Sequence, residues 1–353
     1  MTIHRLRPFL NVGLGKIGRL RSLDACAVEQ RVLEPAHTQR ISPAICLPGQ
    51  LDLATKVIDG GNLKNSLSYL AGTEVHHGDV VEYVVKDAFV HRGGADLWGA
   101  RLLSSRVKLS QLLDSTCHDV ASAAYCMDSI SRERFGHWLT DACTTALLAG
   151  EGQLPVIDVR SDWPHAVAYA KAFDLTETQG PMLVRRLSVY SDLAQSRLKR
   201  MRYLQLRDRM GTASAKSSDR HIYLRRGATG DRRMLNNEAA LIERLETRGF
   251  QTVDVKDMDL DQIRDALAGA STIVSLDGSH ITHIYFCAPS NAALVTIIPD
   301  DRFVDVHKHY CDCIGLTFGF IVCRRQGAGY DVSIDDLERT LDLVAARSDH
   351  VQH

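Results

Sequence analysis

No continuous apolar run long enough to cross a bilayer occurs in the chain. A membrane-spanning helix needs about 18 or more such residues, so none is expected. There is no internal repeat and no low-complexity tract, which sets aside repeat architectures. Neither sign of charge is in excess: 42 Lys and Arg stand against 43 Asp and Glu, for a net charge of −1. A chain so balanced lacks the electrostatic footprint of a nucleic-acid binder, and no nucleic-acid partner is expected. The cysteines are nine, an odd number scattered along the sequence. That points to reduced thiols and a cytoplasmic setting rather than a secreted disulfide framework. The opening segment, MTIHRLRPFLNVGLGKIGRLR, is basic and partly apolar, without the apolar core and small-residue cleavage site of a signal peptide. It is read as a loosely packed basic arm, with peripheral contact to an anionic membrane surface as the second reading.

What is there begins with length. The 353 residues are more than one core usually serves, so two domains are expected. Residues 195–220 start as a basic helix and decay into Gly-Thr-Ala-Ser-Ala-Lys-Ser-Ser, a small polar stretch of the kind that links domains. The expected division is an arm and the start of the first domain at 1–70, an α/β domain at 71–210 and a linker at 211–219. A Rossmann-like domain then occupies 220–333, and a C-terminal helix and tail 334–353.

The second half alternates strand and helix patterns. His221–Leu224, Gln251–Val255, Ser271–Leu276 and Ala293–Ile298 read as strands. Asn236–Arg248, Asp259–Ala268 and Ser279–Cys287 read as helices between them. This order implies a parallel, doubly wound sheet, whose ligands bind at the carboxyl ends of the strands. In the first half, 79–90, 154–159 and 181–190 have strand character and suggest a second α/β layer.

Two strand ends carry candidate chemistry. After the first comes Arg225-Arg226, then Gly227 to Asp231, then Arg232-Arg233. Four guanidinium groups around a glycine-containing loop suit a phosphate clamp, although a solvated basic loop would have the same sequence. After the third comes Asp277-Gly278-Ser279-His280, where a turn leads into a helix. The first N–H groups of such a helix and the Ser279 hydroxyl could face a diphosphate; Ser279 could equally be a plain N-cap.

Three other patterns carry less. Gly13-x-Gly15-x-x-Gly18 has the spacing of a dinucleotide fingerprint but no preceding buried strand. His307-x-His309-x-Cys311-x-Cys313 has metal-capable side chains at a spacing unusual for zinc. Asp254, Asp257, Asp259 and Asp261 form an acidic run before a helix, where acids favour the helix start.

Taken in order, several residues resemble a known family. They are Arg225-Arg226, Arg233, Asn237-Glu238, Gly249-Phe250, Gln262, Gly278-Ser279-His280-Ile281-Thr282-His283, Pro299 and Asp301-Arg302-Phe303. Upstream, Phe135-Gly136-His137-Trp138-Leu139 with Asp141 fits too. The chain resembles glycosyltransferase family 61, in its bacterial capsular-polysaccharide branch, over roughly residues 120–345. The resemblance implies a GT-B architecture of two Rossmann-like domains facing across a cleft. It implies inverting transfer from a nucleotide-sugar to a glycan or lipid-linked glycan, with no cofactor and no obligatory metal, at the inner face of a membrane.

By position in the motifs, Arg225, Arg226, Arg233 and Asn237 would line the donor phosphates. Glu238 would orient the loop or contact the donor, and Gly278, Ser279 and His283 would form a second phosphate wall. Inverting transfer also needs a base for the acceptor hydroxyl. His137 and Asp141 share a helix face and are the first candidates, with His280 as another. A polysaccharide pyruvyltransferase-like enzyme and a silent glycan-binding subunit of the same fold are the alternatives.

Overall fold

The computed structural model describes residues 3–58, 61–103, 117–178, 180–213, 215–216, 218–226 and 233–351, with side chains to residue 347. The loop Gly227–Arg232, including Arg232 of the expected clamp, lies outside the described residues, as do Ser214 and Ser217 of the expected linker. The chain divides into two compact units: residues 1–37 with 78–194, and residues 38–77 with 195–353. It is a mixed α/β protein built on two main sheets.

Strands β1 (Glu29–Glu34), β2 (His37–Arg40), β3 (Glu74–His77), β4 (Val80–His91), β5 (Gly94–Leu97), β6 (Ala100–Leu103), β7 (His118–Tyr125), β8 (Leu154–Val156) and β9 (Met182–Ser191) come first in the chain. The sheet of the first unit has the order β6-β5-β4-β9-β7-β8, with β1 also on β4. It is mixed. β4 runs antiparallel to β1, β5 and β9, and only β7 pairs in parallel, with β8 and β9. The expectation of a second doubly wound, Rossmann-like domain is corrected here. The turn after His91 brings the chain straight back as β5, and such a hairpin yields antiparallel neighbours where a crossover helix would yield parallel ones.

The opening segment is not a loose arm. Residues Arg7–Lys16 form a helix whose Asn11 is buried, its amide donating to Asp96 Oδ1 and to the carbonyls of Leu97 and Ala100, each at 2.8 Å. Arg101 donates to Asp96 and to Pro8 O, and His91 Nε2 lies 2.8 Å from Asp96 Oδ2. This buried polar cluster holds the helix in one place. Gly13 and Gly15 fall inside this helix, away from any strand–turn–helix context.

In the second unit, β10 (Arg220–Arg225), β11 (Phe250–Asp254), β12 (Ala270–Leu276), β13 (Ala293–Pro299) and β14 (Thr317–Gln326) are mutually parallel, and β15 (Gly329–Asp331) is antiparallel to β14. The order is β11-β10-β12-β13-β14-β15. β2 and β3 form a separate two-stranded ladder.

One face of the large sheet, with Tyr223, Val274, Val295, Ile297 and Ile321, is buried with Leu241 and Leu245 of the helix Glu238–Thr247 and Leu337 and Leu341 of the helix Ile334–Val351. Alternate residues Ile222, Leu224, Ile273 and Leu294 are equally buried on the other face. Both faces being covered explains why these strands read as continuous apolar runs. The acidic run is structural: Asp259 caps the helix Leu260–Leu267 in a capping box with Gln262.

Candidate functional site

In a parallel sheet of this order the chain turns back at the boundary between β10 and β12. Two adjacent strand ends there send their connections to opposite sides, and a crevice results. The residues leaving those two ends are Arg226, after β10, and Asp277, after β12. Both are buried. Arg226 Nη1 donates to the Asp277 carbonyl at 2.8 Å. Arg233 forms an ion pair with the Asp277 carboxylate through Oδ2. His307, on the helix Val306–Ile314, meets Asp277 Oδ1 at 2.9 Å through Nε2, and its Nδ1 lies 2.6 Å from the Tyr285 hydroxyl. Asp277 thus gathers Arg233 and His307 on its carboxylate and Arg226 on its backbone carbonyl at the switch point.

The electrostatics follow from that packing. Burial alone would push the Asp277 carboxyl up. The hydrogen bond from His307 and the positive charge of Arg233 and Arg226 outweigh it and hold the group down at about 2. His280 Nε2 lies 2.7 Å from Ser275 Oγ, and that hydroxyl donates to Leu224 O at 2.8 Å. Burial, then the charge of Arg226, push His280 down to about 3. Its ring is therefore neutral over the ordinary pH range. It is suited to hydrogen bonding more than to holding an abstracted proton.

Gly278 makes the approach possible. A Cβ there would collide with the Arg226 guanidinium and come within 2.9 Å of His280 Nδ1. Ser279 is exposed and opens a 3-10 turn, Ser279–Ile281, and only from Thr282 to Cys287 is the chain α-helical. The helical stretch expected over Ser279–Cys287 is present, with its first turn 3-10 rather than α. His283 is buried within the helix Thr282–Cys287.

The structure places the remaining donor candidates elsewhere in the unit. Arg225 is held by Glu238, its Nε and Nη2 at 3.2 and 3.0 Å from Oε2, while Glu238 Oε1 accepts from Tyr223 at 3.0 Å. This pair sits on the β11 side of β10, with Asp254 at 3.9 Å from Arg225. Asn237 spends both ends of its amide on Val332, donating to its carbonyl at 2.8 Å and accepting from its N–H at 3.2 Å. It joins the start of its helix to the chain after β15.

In the first unit, His137 Nδ1 lies 2.8 Å from Asp141 Oδ2. A carboxylate can only accept, so Nδ1 carries the proton and Nε2 of the neutral ring is left basic. The helix is locally widened to a π turn over Trp138–Ala142, a distortion common at functional sites. Trp138 anchors it, fully buried, with its indole N–H donating to Asp158 O at 2.8 Å.

Asp277 and His307 did not figure among the expected site residues. The sequence pattern groups His307 with His309, Cys311 and Cys313 as metal-capable. Among the described residues, no group of three His, Cys, Asp or Glu side chains is placed to hold a metal ion. An ionisable residue directly after a buried strand, such as Asp277, was the available signal.

Comparison with known proteins adds the class. Residues 135–295 match the family model described as Glycosyltransferase 61. The match is somewhat under half of the chain. It takes in both the His137–Asp141 pair and the Arg226–Asp277 group. Over these residues the chain is similar to glycosyltransferase family 61, a family of sugar transfer. No curated protein matches the chain. Among the described residues no helix is long and apolar enough to cross a membrane.

Proposed function

We propose that the protein is an inverting glycosyltransferase that takes a nucleotide-sugar donor at the switch point between β10 and β12. The observation that carries this reading is the convergence of Arg226 and Arg233 on Asp277 at that point, inside the stretch that matches the sugar-transferring family. Planar, permanently charged guanidinium groups suit a diphosphate, and Asp277 orients them before any ligand arrives. His137 is the base, oriented by Asp141. Its Nε2 takes the proton of an acceptor hydroxyl as that oxygen bonds to the anomeric carbon. The bond from that carbon to the diphosphate breaks, and the nucleoside diphosphate leaves with the electron pair on oxygen. Arg226 and Arg233 stabilise that charge as it develops. The acceptor is a glycan or lipid-linked glycan of a surface polysaccharide, and the reaction needs no metal.

The test is a thermal-shift titration with a panel of nucleoside diphosphates and nucleotide-sugars, on the wild type and Arg226→Ala. Saturation at about 100 times Kd adds about 2.7 kcal/mol to the folded state, so one nucleotide should raise Tm and the variant should lose that rise. A folded sample that responds to no nucleotide overturns the reading. An enolpyruvyl donor or a binding role without turnover would then explain the fold better.

A further inference from the structure

The helix Arg7–Lys16 is turned the wrong way round for an ordinary surface helix. The residues it buries are Arg7, Pro8 and Asn11, while Phe9, Leu10 and Val12 stand in solvent. Phe9 is 41% and Leu10 45% exposed. With Leu6 and Ile17 they recur at helical spacing and form one outward stripe. The turn between β5 and β6 flanks the helix: Arg7 lies over the Trp98 ring at 4.7 Å, and Trp98 is 47% exposed. Arg21 donates its N–H to Gly99 O at 2.7 Å, which ties the following segment to the same turn.

The charge along residues 1–23 has one sign, and the first carboxylate, exposed Asp24, follows directly after them. Residues 1–23 contain Arg5, Arg7, Lys16, Arg19 and Arg21 and no Asp or Glu. Lys16, Arg19 and Arg21 are exposed. The carboxylates near His4, Asp87 and Asp119, are both engaged by Arg185. An exposed apolar stripe with an aromatic residue at its edge and cations along it matches the chemistry of an anionic bilayer surface. A second copy of this chain would bring the same cations against each other, which opposes self-association through the patch.

We infer that the helix Arg7–Lys16 and the β5–β6 turn form a docking surface for an anionic lipid bilayer. Phe9, Leu10 and Trp98 enter the headgroup boundary, and Lys16, Arg19 and Arg21 meet lipid phosphates. The polar cluster of Asn11, Asp96 and Arg101 fixes the helix so that this stripe faces outward without the cost of ordering it on contact. The inference is independent of the sugar-transfer reading.

The experiment is flotation of the full chain with vesicles of phosphatidylcholine alone and with phosphatidylglycerol added. Binding is expected only to the anionic vesicles and should fall with salt. Each cation near such a surface is worth about 1 kcal/mol, about fivefold, so Lys16→Glu with Arg19→Glu should weaken partitioning about 25-fold or more. Phe9→Ser with Leu10→Ser should weaken it as strongly. Both pairs are on exposed positions and should leave the melting temperature unchanged. Wild-type protein that ignores anionic vesicles overturns the inference, as does binding that neither double variant reduces. A dimer in solution dissolved by Phe9→Ser with Leu10→Ser would also overturn it, by making a second copy the occupant.

Discussion

The space that a Cβ would need at Gly278 is filled by the guanidinium of Arg226 and the ring of His280. Gly278→Ala should therefore push Arg226 off the Asp277 carbonyl. Losing a charge-assisted bond to the ligand costs on the order of 2 kcal/mol, so nucleotide affinity should fall about tenfold or more by calorimetry. An unchanged affinity would remove Arg226 from the donor site. Asp277 supports a second expectation. Its folded carboxyl titrates at about 2, below its ordinary value. The stabilisation is therefore complete above about pH 4 and is lost as pH falls through about 2. Asp277→Asn takes the carboxylate from buried Arg233 and removes the negative charge beside Arg226, and should cost about 3 kcal/mol or more near neutral pH. Denaturant titrations across pH should show the gap between wild type and variant closing on the acid side. A gap independent of pH would mean that the charge of Asp277 is not what holds the group together.

At the scale of elements, Asn237 and His137 separate structural roles from chemical ones. Asn237→Ala should cost about 1–3 kcal/mol of stability, because both backbone groups of Val332 lose their partner. It should leave nucleotide affinity within about twofold. A large loss of affinity at full stability would return Asn237 to the phosphates. His137→Ala should lower kcat by about 100- to 10,000-fold while the nucleotide-induced Tm shift survives. If kcat is kept, the base lies elsewhere. The secondary structure of the second unit was largely legible in the sequence, since strands buried on both faces stand out as apolar runs such as Ile273–Leu276 and Leu294–Ile298. The i,i+4 spacing of His137 and Asp141 was legible too, and the side chains do bond. The order of the strands was not, because periodicity carries no information about neighbours. Asp277 meets His307 from 30 residues away only because β12 ends where the helix Val306–Ile314 begins. In the first unit, the strand character of 79–90 marked β4 but not the antiparallel partners on both its edges.

At the scale of the whole chain, residues 38–77 lie with the second unit although the sequence before and after them belongs to the first. Their contribution is specific. β13 takes one edge of β14. Ile45 takes the other, accepting from Phe320 N–H and donating to Phe318 O, both at 3.0 Å. Gln50 Oε1 accepts from Val322 N–H at 2.7 Å, and Thr55 N–H donates to Asp300 O at 2.7 Å. The fit at Gly319 is close, since a Cβ there would lie 3.1 Å from Ile45 O. A fragment of residues 195–353 contains every strand of the parallel sheet, yet it would leave these donors and acceptors of a buried strand without partners. Each such group costs about 1–3 kcal/mol, comparable in sum to the whole stability of a domain of this size. The open edge of β14 would also invite pairing with other chains. The fragment alone should therefore aggregate or melt without cooperativity. Supplying residues 38–77 as a separate peptide should restore a single cooperative transition by circular dichroism, with a midpoint that rises with peptide concentration. A fragment that melts cooperatively without the peptide would show that the sheet is complete in itself and that residues 38–77 merely lie upon it.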